Sequence, residues 1–341
     1  MNNKKTLFGV LSSYMLSFLL ILALFGYVHT FSQAKRLGRR KAALYNLNLK
    51  FKKKLFTHPS EIKTDGESLF ILNNAFGQII KVDPLGQFKQ TYQYTPESIS
   101  KKPILISFHP TFKGIKVIDE RQRVFLELSS DFKIQNKFKL NSALNRIGYL
   151  DSNKLITTKT KVLNKSSLTE FSIINVNGKE NEVNNVIPKV DNNGIIYDGF
   201  FVSSPYYLYY INYFYNTINC LNFSGKVKYQ VKSIDDVAIP KIKIAENGWI
   251  TYANDSQPVN LGGTTYNSYL YILTNTQVKS NSKSSDIGSF IDRYSEINGK
   301  YLESFVIPNY NDEAPIGFCI LKNKVYAVYS DQLMCFEFKN N

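Results

Sequence analysis

Ser68–Tyr92, SLFILNNAFGQIIKVDPLGQFKQTY, constrains this chain more than any other stretch. Three short apolar runs, Leu69–Leu72, Ile79–Val82 and Phe88–Tyr92, are separated by two turns. That is the pattern of an antiparallel meander. Tyr207–Val231, YLYYINYFYNTINCLNFSGKVKYQV, aligns beneath it without a gap. Leu208 falls under Leu69, Asn212 under Asn73, Ile218 under Ile79, Gly225 under Gly86 and Lys228 under Lys89. One meander cannot bury both of its faces, so a repeated one predicts a propeller or a solenoid.

The turn before each fourth strand measures the repeat. It reads Leu85-Gly86-Gln87, Asn177-Gly178-Lys179, Ser224-Gly225-Lys226 and Asn298-Gly299-Lys300, with Asp131 standing where glycine is expected in Ser130-Asp131-Phe132-Lys133. Glycine suits such a turn because it takes positive φ without steric cost. Positions 86, 131, 178, 225 and 299 lie 45, 47, 47 and 74 residues apart. The first three intervals match the roughly 40–50 residues of a four-stranded blade. The long one holds Thr274–Ser285, TNTQVKSNSKSS, which reads as an inserted polar loop.

A sixth unit follows, with strands Ile316–Leu321, Lys324–Tyr329 and Leu333–Phe338. It lacks an outer strand, and Asn48–Phe56, NLKFKKKLF, is a strand-like run with no blade of its own. Joining the two closes a ring and protects edges that would otherwise template aggregation. The expectation is all-β: a six-bladed β-propeller over 48–341, closed by its N-terminal strand.

Two preceding segments are expected. Thr6–Ala34 carries no charged residue, and its apolar body Leu7–Val28 would make about 33 Å of helix at ~1.5 Å per residue. Residues 1–34 therefore read as a single N-terminal transmembrane anchor, longer than the apolar core of a cleaved leader, although Ser32-Gln33-Ala34 resembles a cleavage site. Residues 35–47 read as a basic juxtamembrane linker. Its Lys35, Arg36, Arg39, Arg40 and Lys41 would hold that flank in the cytoplasm by the positive-inside rule. A signal-like segment ahead of a disulfide-free β-domain is instead the layout of an exported bacterial protein, and the propeller is read as periplasmic.

Charge follows the same division. Residues 1–56 hold eleven of the 42 Lys and Arg and none of the 27 Asp and Glu, which leaves 31 basic against 27 acidic residues for the remainder. A membrane flank explains the formal charge of +15, and nucleic acid is not an expected partner. Cys220, Cys319 and Cys335 form no metal-ligand spacing and lie in apolar runs. If Cys319 and Cys335 sit on first and third strands of one blade, the strand between holds them about 10 Å apart, too far for a disulfide.

His58–Asn73, HPSEIKTDGESLFILN, resembles the opening of an NHL-type or TolB-like six-bladed propeller repeat, with its Pro, Ile, Asp-Gly turn and apolar second strand ending in Asn. The resemblance implies a scaffold that hosts binding proteins, lactonases, lyases and sensors alike, so function must be sought in the site. No regular Arg marks the third-strand entry, unlike the NHL pattern.

Catalytic signals are sparse. There is no G-x-S-x-G, and His58 and His109 both precede Pro, where a ring is expected to pack at a turn. Propeller lactonases hold a divalent cation in the central channel, for which Glu61, Asp198 and Asn254 would be the counterparts; otherwise these are solvated turn residues. Asp191-Asn192-Asn193-Gly194 resembles a calcium loop but lacks the later bidentate Glu, and Asp235-Asp236 reads as a loop pair. No cofactor is expected.

The aromatic run Tyr206–Tyr215 stands out. Alternation places Tyr207, Tyr209 and Ile211 on one sheet face and Leu208 and Tyr210 on the other, as in a strand sandwiched between blades. Tyr213, Phe214 and Tyr215, just beyond that strand, are the candidate binding residues, a stacking platform for a sugar or a partner peptide. The reading from sequence is a binding or assembly module of the bacterial envelope, with an unknown envelope protein or small ligand as partner. A lactonase- or lyase-like enzyme and an extracytoplasmic sensor are its alternatives.

Overall fold

The computed structural model describes residues 45–340 apart from 56–57, 95–105, 112, 121, 141–144, 152–153, 164–165, 176–179, 184–185, 188–192, 245–249, 254–255 and 280–286; before residue 45 it describes Met15, Phe18, Arg40 and Lys41 alone. Contacts divide the chain into Met1–Lys41 and Ala42–Asn341. The expected anchor and most of the expected linker lie outside the described residues. Among those described, no helix is long and apolar enough to cross a membrane.

The second unit is built from four-stranded antiparallel sheets. The chain enters through β1 (Tyr45–Lys54). Blade 1 is β2 (Glu61–Thr64), β3 (Leu69–Asn73), β4 (Gln78–Val82) and β5 (Phe88–Gln93). Blade 2 is β6 (Ile106–Thr111), β7 (Gly114–Asp119), β8 (Val124–Ser129) and β9 (Ile134–Lys139). Blade 3 is β10 (Ile147–Tyr149), β11 (Lys154–Leu163), β12 (Ser166–Asn175) and β13 (Glu180–Val183). Blade 4 is β14 (Gly199–Ser203), β15 (Leu208–Asn212), β16 (Thr217–Leu221) and β17 (Val227–Lys232). A separate hairpin, β18 (Ile242–Ile244) with β19 (Ile250–Tyr252), precedes blade 5: β20 (Asn260–Tyr266), β21 (Tyr269–Lys279), β22 (Ile287–Ser295) and β23 (Tyr301–Pro308). Blade 6 is β24 (Gly317–Leu321), β25 (Lys324–Val328) and β26 (Gln332–Asn340), with β1 as its outer strand.

Ring closure is direct. β1 pairs antiparallel with β26, from Tyr45 opposite Asn340 to Lys54 opposite Gln332. The strand begins three residues before the expected Asn48, because Tyr45, Asn46 and Leu47 continue the ladder. First strands line the axis as neighbours, β10 beside β14, β14 beside β20, β20 beside β24, and β24 beside β2. The unit is a closed six-bladed propeller.

Packing between blades follows from alternation. Tyr209 and Ile211 enter a cluster with Leu270, Ile272 and Tyr294 of blade 5, while Leu208 and Tyr210 face Ile156 and Phe171 of blade 3. This is the two-sided burial expected for the aromatic run. Each such side chain contributes about 1.5–3 kcal/mol when fully buried. The hydroxyls are not lost: Tyr210 donates to the Tyr197 carbonyl at 2.9 Å and Tyr209 to the Glu296 carbonyl at 3.3 Å.

The turns explain the ruler. Gly86 and Gly225 sit at φ +79° and +78°. A Cβ on Gly86 would stand 2.6 Å from the Phe51 ring, and one on Gly225 2.7 Å from Ile173 Cδ1. Each turn thus tucks against the previous blade, and both conformation and space demand glycine. In blade 2 the corresponding residue is Phe132, not Asp131. Phe132 holds φ +62°, and its N–H donates to the Ser129 carbonyl as that of Gly86 does to Asp83. Its ring fills the gap against Tyr92 and Phe70, 5.8 and 6.5 Å between centroids.

Two further expectations change. Thr274–Lys279 is not loop but the end of β21, which pairs again with β22 beyond a register shift between Leu273 and Gln277. Polar residues in a strand ladder keep the backbone bonds of apolar ones, so composition alone mistakes the extension for a loop. Cys319 and Cys335 do lie on the first and third strands of one blade, both opposite Tyr326, and are free and buried.

Candidate functional site

The first strands of all six blades bound an axial cavity of about 360 Å³. It opens where those strands begin and second strands end; we call this the upper mouth. A larger cavity of about 1160 Å³ opens at the other end, and His109, Pro110, Tyr149, Thr64, Ser203 and Thr265 border both. They form the waist of the channel.

Two residues that immediately precede first strands meet beside the upper mouth. Arg146 precedes β10 and Asp198 precedes β14. Arg146 Nε and Nη2 donate to the two Asp198 carboxylate oxygens at 3.1 and 2.9 Å, and the guanidinium lies 5.3 Å from the Tyr213 ring centroid. Burial alone would lower the Arg146 pKa, but the Asp198 hydrogen bonds and charge carry it above the usual guanidinium value. This fork is held by two partners, a carboxylate and a ring, and stays charged at any working pH.

Glu61 opens β2. Its carboxylate pairs with Lys63 at 2.8 Å, and Lys63 also donates to the Phe108 carbonyl at 2.8 Å from 4.9 Å over the Phe108 ring. Glu120 follows β7 and is half-buried at the mouth. Burial, with Asp119 and Glu61 nearby, pushes its carboxyl up to about 8 against the opposing pull of Arg146. Glu120 is therefore mostly protonated at neutral pH.

At the waist, His109 stacks on Tyr149 with centroids 4.7 Å apart. Burial, then the charges of Lys63 and Lys116, drives His109 down to about 3, so the ring is neutral. It lies within β6 rather than at a turn, which corrects the expectation for its ring. His58 does sit in a connection, its Nδ1 3.0 Å from the Ser330 carbonyl oxygen.

The three candidate binding residues diverge. Tyr213 lines the upper mouth, 5.1 Å from the Phe200 ring, and burial pushes its hydroxyl up to about 12. Phe214 stacks on Tyr252 of β19 at 3.7 Å. Tyr215 meets Tyr197 edge-on at 5.8 Å, against the core between blades 3 and 4. Glu61 and Asp198 do come to the axial region, each already engaged by a cation; Asn254, Asp191 and Asn192 lie outside the described residues, and Asn193 and Gly194 open a short helix, Asn193–Ile196. No cluster of three or more His, Cys, Asp or Glu suited to a metal occurs among the described residues.

Glu120 and Arg146 were not singled out from sequence. The signal was positional: Ser60, Arg146, Asp198, Val259 and Ile316 all immediately precede a first strand, and the two charged ones are adjacent blades' occupants of one site.

No family model and no curated protein matches the chain. Solved structures do. A member of the DUF4221 family from Bacteroides vulgatus superposes with a TM-score of 0.53 at 11% identity, over 89% of this chain and 100% of the other. A candidate exported protein of Bacteroides fragilis gives 0.53 at 13%, over 88% and 97%. Virginiamycin B lyase of Staphylococcus aureus gives 0.48 at 13%, over 86% and 99%, a likeness too low to bear on activity. At such identity the shared property is the fold, and the class it defines is the six-bladed β-propeller.

Proposed function

We propose that this chain is a binding or assembly module of the bacterial cell envelope, anchored by its N-terminal segment, that takes its ligand or partner at the upper mouth. The observation that carries the reading is the Arg146–Asp198 fork held against Tyr213, with Glu120 free of hydrogen bonds among the described residues, in an axial cavity bounded by every blade. A few fixed polar groups in an aromatic-lined concavity are what ligand recognition requires. The uncharged run Thr6–Ala34 supports anchoring, and the shared fold with a candidate exported protein of Bacteroides fragilis supports placement outside the cytoplasm. The turn pattern of His58–Asn73 supports kinship with NHL- or TolB-like propellers.

The test is affinity capture by full-length protein from native membranes, comparing wild type with Arg146→Ala and Tyr213→Ala. Both variants should lose a bound species that wild type retains while still unfolding in a single cooperative transition. Equal recovery by all three would refute the upper mouth as the binding site. Protease accessibility on intact cells tests sidedness.

A further inference from the structure

We propose that the upper mouth binds an organic cation carrying a primary ammonium group, with Glu120 as the residue that receives its charge. This rests on the reading of the mouth as the binding site and names its ligand class.

The argument is an account of charge. Lys63 is taken up by Glu61, the Phe108 carbonyl and the Phe108 ring. Arg146 is taken up by Asp198 and Tyr213. His109 is neutral, and Lys116 donates to the Asp151 carbonyl at 3.1 Å, among groups lining the lower cavity. On the acidic side, Glu61 and Asp198 have their cations. Asp119, buried behind the mouth, accepts from the Gln122 N–H through Oδ1, while Oδ2 has no partner. Glu120 makes no hydrogen bond or ion pair among the described residues. Among the described residues every cation facing the cavity is engaged, and the group with no hydrogen bond or ion pair is a carboxyl. Among those residues, what the mouth lacks is positive charge.

The donor set favours an ammonium over a metal ion, since a divalent cation wants several oxygen ligands and no group of three or more His, Cys, Asp or Glu suited to one occurs among the described residues. The walls favour an organic body. Phe200 and Ile316 offer aromatic and aliphatic surface in the same cavity, and an aromatic face adds attraction for a cation. Protonated Glu120 keeps the empty mouth free of an unpaired buried charge. An arriving ammonium converts Glu120-COOH to carboxylate, and the proton leaves to solvent, one for each cation bound below the Glu120 pKa.

The experiment is titration calorimetry of the full-length protein in detergent with n-butylammonium, n-butyrate and n-butanol at pH 6 to 9. Butylammonium affinity should rise about tenfold per pH unit up to pH 8 and then level, with close to one proton released per cation at pH 6.5. Glu120→Gln should weaken binding at least about tenfold at pH 8 and remove its pH dependence. Affinity independent of pH, full binding by Glu120→Gln, or preference for butyrate or butanol overturns the proposal. So does no butylammonium binding at about 50 mM, far weaker than a functional site. None of these outcomes touches the mouth itself, which stands or falls on the capture variants.

Discussion

Glu120 and His109 together predict an unusual profile of stability against pH. Glu120 rises from 4.5 to about 8 on folding, and His109 falls from 6.5 to about 3. Above pH 4.5 the unfolded chain gives up the Glu120 proton while the folded one keeps it, so stability falls with rising pH until about 8. At about 1.36 kcal/mol for each tenfold change in proton affinity, the full cost is roughly 4–5 kcal/mol. Below pH 6.5 the unfolded chain protonates His109 and the folded one does not, so stability falls with falling pH until about 3, by a similar amount. Between pH 4.5 and 6.5 the two slopes cancel and a plateau results. From pH 6.5 to 8 only Glu120 contributes, and stability drops by roughly 2 kcal/mol. Glu120→Gln isolates the effect, because glutamine resembles the protonated acid and cannot ionise. Urea denaturation of both proteins should show the variant gaining on wild type by roughly 4 kcal/mol between pH 5 and 8.5. Groups common to both proteins drop out of that difference. A difference constant with pH, or one that moves toward wild type as pH rises, would show that Glu120 is ionised at neutral pH and that the charge account of the mouth is wrong. His109→Phe, which keeps the stack on Tyr149, should flatten the acid limb alone.

Other perturbations probe the scaffold. Gly225→Ala forces a side chain onto φ +78° and into Ile173, and should cost about 1–3 kcal/mol in urea midpoint. Tyr215→Ala and Tyr213→Ala should each lower stability by roughly 2 kcal/mol, through lost packing on Tyr197 and on Phe200, and a urea midpoint unchanged in either would contradict the packing. Asn48→Cys with Glu337→Cys places two cysteines directly opposite on β1 and β26; oxidation should link them, seen as a shift on non-reducing gels, and an open ring would leave them free. The three native cysteines should resist thiol reagents until the chain unfolds, since burial pushes Cys220 up to about 11 and raises Cys319 and Cys335, so a fast native reaction would contradict the packing.

The contrast between what could and could not be read from this chain has a physical origin. Blade faces are packed on both sides, so alternation at Leu208–Asn212 is fixed by two neighbours at once and shows in the sequence. The missing outer strand was legible for the same reason: a three-stranded last unit leaves an edge, and an orphan strand near the start leaves another. Phe132 escaped because an aspartate beside it is the better-known occupant of a left-handed turn, while ring packing on Tyr92 outweighs the strain for phenylalanine. The site was harder still. Arg146 and Asp198 are 52 residues apart and meet because adjacent blades bring equivalent positions together around the axis. Packing does not fix one residue type at those positions, so they do not follow the repeat: one blade has Ser60, another the buried Val259, another Ile316. Repeat alignment filters out such positions as noise. In a propeller the opposite treatment is needed, because the axis-facing residue that breaks the repeat, where a neighbour is aliphatic and the chain places an arginine or a carboxylate, is free of structural duty and open to selection for a ligand. Glu120, Arg146 and Asp198 are departures of that kind, and their convergence on one mouth is the strongest reason to look for function there.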